Sequence, residues 1–270
     1  MKITAIQTGV TRIKASFRRG NSKVGMIGAF AEIIPDNIFE ELPILCWLID
    51  HPEGLILVDT GESSKIGRTL VAEMVVKPEQ EVGAQLSAMG IKPSDISKLI
   101  LTHIHTDHIG GIAPFQKTPI FVSDRDHRML NNAPERIFNA LITPIPSWFH
   151  PEPLPYDDTP QGTFPRSAPI TAAGDIVAVP TPGHTPGHQS IIVIDGDQRI
   201  FIAGDLTYNE NALIERKLEG ISFALDEHLP SINRARSYAI ENPTVYLPTH
   251  DPESPQRLSA REIFPLYSHA

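Results

Sequence analysis

Four side chains that can bind a metal ion lie within six consecutive residues, in the segment THIHTDH at positions 102–108. They are His103, His105, Asp107 and His108. In an extended chain, alternate residues point to one side, and the turn that follows is expected to bring His108 beside the other three. Imidazole nitrogens and carboxylate oxygens are the donors that zinc and similar first-row ions prefer. The cluster therefore predicts a metal site directly after a short apolar strand.

Three further candidate donors end apolar runs in the second half of the chain. His184 lies in the turn-rich segment TPGHTPGH, Asp205 closes the run FIAGD, and His250 closes the run YLPTH. Polar residues that end buried strands gather in loops at one edge of a sheet. We therefore expect these three side chains to join the 102–108 cluster.

The elements that must position these residues are short strands followed by helices. The apolar runs at 44–50 and 55–59 predict a hairpin, and further strands are expected at 98–101, 119–123, 175–179, 190–194, 199–203 and 244–247. Helical spacing predicts helices at 79–89, 124–130, 229–241 and 257–264. Strands in both halves, each followed by helices, indicate an α/β fold with two sheets and helices outside. We expect a single domain, 1–270, with a lid-like insertion around 131–169 that holds nine prolines.

Composition excludes several classes of protein. The chain has 270 residues, a formal net charge of −9 and one cysteine, Cys46. An acidic chain is a poor partner for nucleic acid, since phosphate binding requires a basic face. No apolar run approaches the roughly 20 residues that span a membrane, and the N-terminus lacks the apolar stretch of a signal peptide. A lone cysteine forms no internal disulfide, so a cytoplasmic location is expected.

The motifs resemble those of the metallo-β-lactamase superfamily. The resemblance rests on THIHTDHIGG, TPGHTPGH, Gly204-Asp205 and the final Thr249-His250, together with an early Asp59-Thr60-Gly61 turn. It implies an αβ/βα sandwich of two mixed β-sheets flanked by helices. Superfamily members that cleave β-lactams carry a cysteine near the position of Asp205, so antibiotic hydrolysis is not expected of this chain.

The resemblance also implies a ligand set for two divalent metal ions. One ion would be held by His103, His105 and His184, and the other by Asp107, His108 and His250, with Asp205 bridging them. Zinc is the expected metal, although manganese, cobalt and iron accept the same donors. Two ions about 3.5–4 Å apart would share a hydroxide that attacks the substrate.

Tyr208, three residues after Asp205, resembles a tyrosine of the N-acyl-homoserine lactone lactonases. This branch implies an enzyme that opens lactone or related ester bonds of a small-molecule substrate and is associated with quorum quenching. Tyr208 would stabilise the substrate carbonyl, and Asp107 would give a proton to the leaving group. The alternatives are a phosphotriesterase or arylesterase, a glyoxalase II-like thioesterase, and a metal-binding module without catalysis.

Aromatic residues of the proline-rich insertion are the candidates for substrate binding. Phe138, Trp148 and Phe149 would form an apolar wall for an acyl chain, or else a surface patch or dimer contact. A homodimer is compatible with the sequence, which contains nothing that requires one. Neither a nucleic-acid partner nor a membrane is expected.

Overall fold

Two β-sheets form the framework of the protein, seen in a computed structural model that describes residues 1–15, 39–66, 72–132, 145–220 and 222–267. The first sheet comprises β1 Lys2–Lys14, β2 Phe39–His51, β3 Gly54–Val58, β4 Ala72–Val75, β5 Ile96–Ile100, β6 Ile120–Val122 and β7 Glu152–Pro153. The second comprises β8 Ala168–Pro169, β9 Ile176–Pro180, β10 Gln189–Asp195, β11 Gln198–Gly204 and β12 Thr244–Pro248. The described α-helices are α1 Val82–Ala88, α2 Thr106–Ile109, α3 Asp124–Asn131, α4 Glu210–Glu215, α5 Leu225–Glu241 and α6 Ser254–Ala260.

Both sheets mix parallel and antiparallel pairs. The first has the order β4-β1-β2-β3-β5-β6-β7, antiparallel from β4 to β3 and parallel from β3 to β7. The second has the order β12-β11-β10-β9-β8, in which only β12 and β11 are parallel. The predicted hairpin is confirmed, since β2 and β3 pair with Trp47 opposite Val58. The predicted α/β fold with two mixed sheets is confirmed as well.

Strand β2 shows how the core is divided into layers. Alternate residues of a strand point to opposite faces. Leu45, Trp47 and Ile49 lie in the apolar cluster between the two sheets, together with residues of β9 to β12. The intervening Cys46 and Leu48 belong to a second cluster that contains α1. Because both faces are covered, the strand is apolar along most of its length rather than alternating.

A third cluster covers the outer face of the second sheet. Side chains of α5, among them Ile232, Ala235 and Tyr238, pack there against strand residues such as Val179 and Phe201. Helices therefore flank the paired sheets on both outer faces, and both sheets place loops at the edge where the candidate donors lie.

Three predicted helices have clearly different bounds in the structure, and the first of them, expected at 79–89, is α1 at Val82–Ala88. Helix α5 begins at Leu225 rather than at 229, because the backbone carbonyl of Ala224 accepts bonds from the N–H groups of Glu227 and His228. Pro230 therefore lies inside the helix, at its sixth residue. The last described helix, α6, ends at Ala260 instead of 264, since Arg261 adopts a left-handed conformation with φ 53° that ends the helix.

The described part of the predicted insertion adds an edge strand to each sheet, β7 to the first and β8 to the second. Leu154 and Phe164 are buried in the core clusters. Residues 133–144, including Phe138, lie outside the described residues, so a lid and the single-domain assignment stay predictions. None of the helices in the described part of the chain is long and apolar enough to cross a membrane.

Candidate metal centre

The 102–108 segment leaves β5 and turns into helix α2. The chain is extended only as far as His105, the N-cap residue of the helix that begins at Thr106, so alternation does not extend to Asp107. Gly111 allows the turn to pack closely, since a Cβ atom there would lie 2.2 Å from the backbone oxygen of Thr60. The backbone N–H group of Gly111 donates a hydrogen bond to the carbonyl oxygen of Gly61 at 3.1 Å. The turn is thereby fixed against the loop that follows β3.

Three imidazoles form the first donor group. His105 Nδ1 lies 3.0 Å from His103 Nε2 and 2.9 Å from His184 Nε2. His184 comes from the loop between β9 and β10, so the second sheet completes a group begun by the first. Burial lowers the pKa of all three side chains, and neighbouring histidines lower that of His103 further. Neutral imidazoles offer lone pairs, as metal binding requires.

The second donor group contains Asp107, His108 and His250. His250 Nε2 lies 3.4 Å from Asp107 Oδ2, and His108 Nε2 lies 3.9 Å from Asp107 Oδ1. Burial acts to lower the pKa of His108, but the carboxylates of Asp205 and Asp59 raise it well above its usual value. The pKa of His250 is likewise raised, mainly by Asp205, against the effect of burial. Without metal, protons on these imidazoles would supply the positive charge that the carboxylates attract.

Asp205 connects the two donor groups. Its Oδ2 atom lies 3.4 Å from His184 Nε2 and 3.2 Å from His250 Nε2, and its Oδ1 atom lies 3.2 Å from His108 Nε2. The side chain is 3% exposed. The structure thus places all seven predicted donors in one cluster, with this carboxylate between the two groups.

Outer partners hold two of the histidines in a defined orientation. His108 Nδ1 lies 2.8 Å from Asp59 Oδ2, and His250 Nδ1 lies 2.8 Å from the carbonyl oxygen of Pro43. An Nδ1–H group that donates to an oxygen leaves the Nε2 lone pair to face the cluster. Asp59 belongs to the early turn that carries the family resemblance, whereas nothing in the sequence pointed to the carbonyl of Pro43.

The donor set fits metal ions because two buried atoms lack any other partner. His108 Nε2 and Asp205 Oδ1 are buried and make no hydrogen bond within the described part of the chain. Once Nδ1 of His108 donates to Asp59, its Nε2 presents a lone pair to a carboxylate oxygen. Two acceptors that face each other in a buried site need a cation between them, which is a proton in the metal-free protein and a metal ion when one is bound. The imidazole and carboxylate donors are those expected for zinc.

Tyr208 lies beside this cluster, as predicted from its distance along the chain. Its ring centroid is 5.2 Å from that of His250 and 6.3 Å from that of His184. Burial, and then the carboxylates of Asp205, Asp107 and Glu219, raise the pKa of the phenol well above its ordinary value, which keeps the hydroxyl protonated.

Two residues that sequence reasoning missed fix the position of Tyr208. The backbone N–H of Tyr208 donates to Glu219 Oε2 at 3.2 Å. A Cβ atom on Gly220 would lie 2.4 Å from the Tyr208 hydroxyl oxygen, so only glycine leaves room for this phenol. Neither residue belongs to a motif, and no sequence signal could have identified them.

His188, the last residue of the TPGHTPGH segment, supports the backbone of Asp205. Its Nε2 atom accepts a hydrogen bond from the backbone N–H of Asp205 at 3.0 Å, and its Nδ1 atom lies 2.8 Å from Thr181 Oγ1. Burial lowers the pKa of His188 to about 3, so it remains a neutral acceptor.

The predicted substrate wall is described only in part. Phe149 is 3% exposed in the cluster that contains α1, and Trp148 packs against the same cluster. A different aromatic side chain, Phe223, lies near the donors, with its ring centroid 5.9 Å from that of His105. It is 36% exposed and was not among the predicted residues.

Known proteins share both the sequence pattern and the fold. Residues 40–250 match the metallo-beta-lactamase superfamily. A probable metallo-hydrolase of Mycobacterium bovis is 31% identical over 207 residues, which cover 72% of this chain and 66% of that protein. An N-acyl homoserine lactonase of Bacillus cereus is 26% identical over 252 residues, which cover 87% of this chain and 90% of that one.

Solved structures resemble the chain over almost its whole length. An N-acyl homoserine lactone hydrolase with N-hexanoyl-L-homoserine at its catalytic metal centre gives a TM-score of 0.73 at 21% identity, covering 99% of this chain and 98% of that one. The dizinc quorum-quenching lactonase AidC gives 0.66 at 20% identity, covering 93% and 90%. These structures share the fold, and the match at 40–250 includes every candidate donor. The predicted family is therefore confirmed: the chain belongs to the metallo-beta-lactamase superfamily.

Proposed function

We propose that the chain is a metal-dependent hydrolase that holds two divalent ions, with zinc as the expected metal. His103, His105 and His184 would hold one ion, and the other would be held by Asp107, His108 and His250. The contacts of Asp205 with His184 and His250 support its role as the shared ligand. When bound, such ions supply Lewis acidity and lower the pKa of water.

The proposed substrates are lactones, with N-acyl-homoserine lactones first and related esters second. The observation that carries this proposal is the position of Tyr208, whose ring lies beside His184 and His250, where Asp205 joins the donor groups. A phenol at that position donates a hydrogen bond to a substrate carbonyl oxygen and stabilises the negative charge that develops there. The names of the lactonase relatives favour the same substrate class.

Asp107 is the residue that we propose for proton transfer. Its side chain is 13% exposed, whereas Asp205 and His108 are 3% and 0% exposed, so its carboxyl group is the more accessible one. Hydrolysis adds water across the C–O bond, with the oxygen joining the acyl carbon. Asp107 would pass the remaining proton to the ring oxygen as that bond breaks.

An apolar contact for the acyl chain is proposed at Phe223. The ring is partly exposed and lies near His105, on the side of the first donor group. A single aromatic ring buries enough apolar surface to favour longer acyl chains over shorter ones. The wall formed by Phe138, Trp148 and Phe149 stays a prediction.

The proposal is tested by pH-stat titration of the zinc-loaded protein with homoserine lactones of several acyl lengths. An aryl ester, a thioester and paraoxon complete the panel. We expect kcat/KM for lactones to exceed that for the other substrates by about 100-fold or more. The Tyr208→Phe variant should raise the barrier for lactones by about 1–3 kcal/mol, since one donor to the oxyanion is lost.

Tyr156→Phe is the matched control, because it removes a phenol hydroxyl that donates to Gln189 instead. It should leave lactone turnover unchanged. A preference for paraoxon by several orders of magnitude would assign the chain to the phosphotriesterase alternative. Bound zinc with no turnover of any substrate would make it a metal-binding module.

A further inference from the structure

A cleft of about 390 Å³ lies outside the metal centre and is lined by none of the seven donors. Its walls come from α3, from α5, from residues 156–166 and from the loop at 180–188. Four arginines line it, and we call it the arginine cleft: Arg125, Arg128, Arg166 and Arg234. Such a concentration of positive charge stands out on a chain with a net charge of −9.

The acidic residues of the cleft do not balance its arginines. Only Asp124 and Glu227 contribute carboxylates to the lining, so positive charge is in excess. Glu227 binds Arg125 through two contacts of 2.7 and 2.9 Å, and Asp124 lies 3.1 Å from Arg128. The nearest carboxylate to Arg166 is that of Asp158 at 3.7 Å, which is 98% exposed and therefore screened by water.

Arg234 is the arginine of the cleft whose guanidinium group has no acidic partner among the described residues. Across the described residues, its guanidinium group makes no hydrogen bond or ion pair, while its backbone oxygen accepts a bond from Thr163. The side chain is exposed on α5 and lines the cleft. A guanidinium group presents donors in a planar fork that matches the oxygens of phosphate or carboxylate.

The remaining walls restrict the kind of molecule that fits. Pro180, Pro182 and Pro186 supply rigid apolar surface, and the ring of Tyr156 lies 5.8 Å from the guanidinium carbon of Arg166. These surfaces suit the organic part of a small molecule, whereas the arginines suit an anionic group. A long acidic polymer needs a broad basic face, which this acidic chain lacks.

We propose that the arginine cleft binds a small molecule that carries a phosphate group, with Arg234 and Arg166 as the principal contacts. The site is separate from the metal centre and does not depend on which substrate the hydrolase opens. One residue of the cleft wall, His188, also accepts a hydrogen bond from the backbone N–H of Asp205. The cleft therefore shares a residue with the surroundings of the metal centre.

The test is isothermal titration calorimetry of the zinc-loaded protein with inorganic phosphate at low ionic strength. Arg234→Gln and Arg166→Gln should each weaken binding by about tenfold, the loss expected for a charge-assisted hydrogen bond. Arg216→Gln is the control for the same change of residue, because Arg216 is exposed and lies at the end of α4, away from the cleft lining. It should change the affinity by less than about twofold, since surface pairs contribute little.

Asp205→Asn distinguishes the cleft from the metal centre, where phosphate could also bind. The proposal requires that this variant retain the phosphate affinity that Arg234→Gln loses. It is overturned if Asp205→Asn abolishes binding while Arg234→Gln does not, or if the wild-type protein binds no phosphate. Circular dichroism of each variant verifies that the fold is intact.

Discussion

The Asp59 Oδ2 atom lies 2.8 Å from His108 Nδ1, and the same carboxylate accepts hydrogen bonds from both the backbone N–H and the hydroxyl of Thr102. Asp59 is 1% exposed and has a positive φ of 60°, which is uncommon for a residue other than glycine. This buried carboxylate therefore connects the end of β3 to the 102–108 segment and determines which nitrogen of His108 faces the cluster.

Replacing Asp59 with asparagine should weaken metal binding. The amide N–H group would face the Nδ1–H of His108 and favour the tautomer whose Nε2 carries the proton. We expect the affinity for zinc to fall by about 10- to 100-fold, measured by competition with a chromophoric chelator. Asp175→Asn is the matched control, since Asp175 lies 3.1 Å from His51 Nε2 outside the cluster. Equal affinity in both variants would contradict the orienting role of Asp59.

Asp205→Asn should reduce both the metal content and the turnover. The amide carries one oxygen in place of two, so it cannot serve both donor groups as the carboxylate does. We expect mass spectrometry of the purified variant to find about one ion in place of about two, with turnover close to background. Near-normal lactone hydrolysis would show that another residue joins the two groups.

Gly220→Ala should impair catalysis through Tyr208. The added Cβ atom would lie 2.4 Å from the hydroxyl oxygen and displace it. Gly196→Ala is the control for backbone strain, because φ is 62° there and 66° at Gly220, while nothing lies within 4 Å of a Cβ at Gly196. Both variants should lose similar stability in thermal unfolding, but only Gly220→Ala should lower kcat. An equal loss of kcat would mean that strain alone is responsible.

Asp126 should make stability depend on pH. Its carboxyl group is 1% exposed, and neither oxygen has a hydrogen-bond partner in the described ranges. Burial raises its pKa from 3.8 to about 7. The unfolded chain therefore holds this proton less tightly, so the free energy of unfolding falls as the pH rises from about 4 to about 7.

The Asp126→Asn variant should lose this dependence. Relative to it, the wild-type protein should be destabilised progressively from pH 4 to 7, by at most about 4 kcal/mol at pH 8. Urea unfolding of both proteins across this range measures the difference. Asp197 is exposed in the turn between β10 and β11, so the stability of Asp197→Asn should show the same pH dependence as that of the wild-type protein. Parallel curves for Asp126→Asn and wild type would refute the assignment.

The convergence of the seven donors could be predicted because they share one property, a position directly after a buried strand. His184 follows β9, Asp205 follows β11, and His250 follows β12. Apolar runs of four to seven residues located these strands well, since burial on both faces leaves them with few polar residues.

Features that depend on tertiary contact could not be predicted in this way. The role of Gly220 depends on a phenol twelve positions away, and the carbonyl of Pro43 has no side-chain signature. The 13-residue strand β1 was not among the predicted strands, and in the structure a register shift between Gln7 and Val10 interrupts its pairing with β2. The helical start at Thr106 likewise has no signal in a segment that alternates like a strand.

Neither half of the sandwich carries a complete set of donors. His103 and His105 follow a strand of the first sheet and meet His184 from the second, while Asp107 and His108 meet His250 in the same way. Any ion held there crosslinks the two halves, because its affinity is available only once the sheets have docked. Chelation of such an ion would accordingly weaken the interface between the sheets, so we expect the stability of the fold to rise with metal supply.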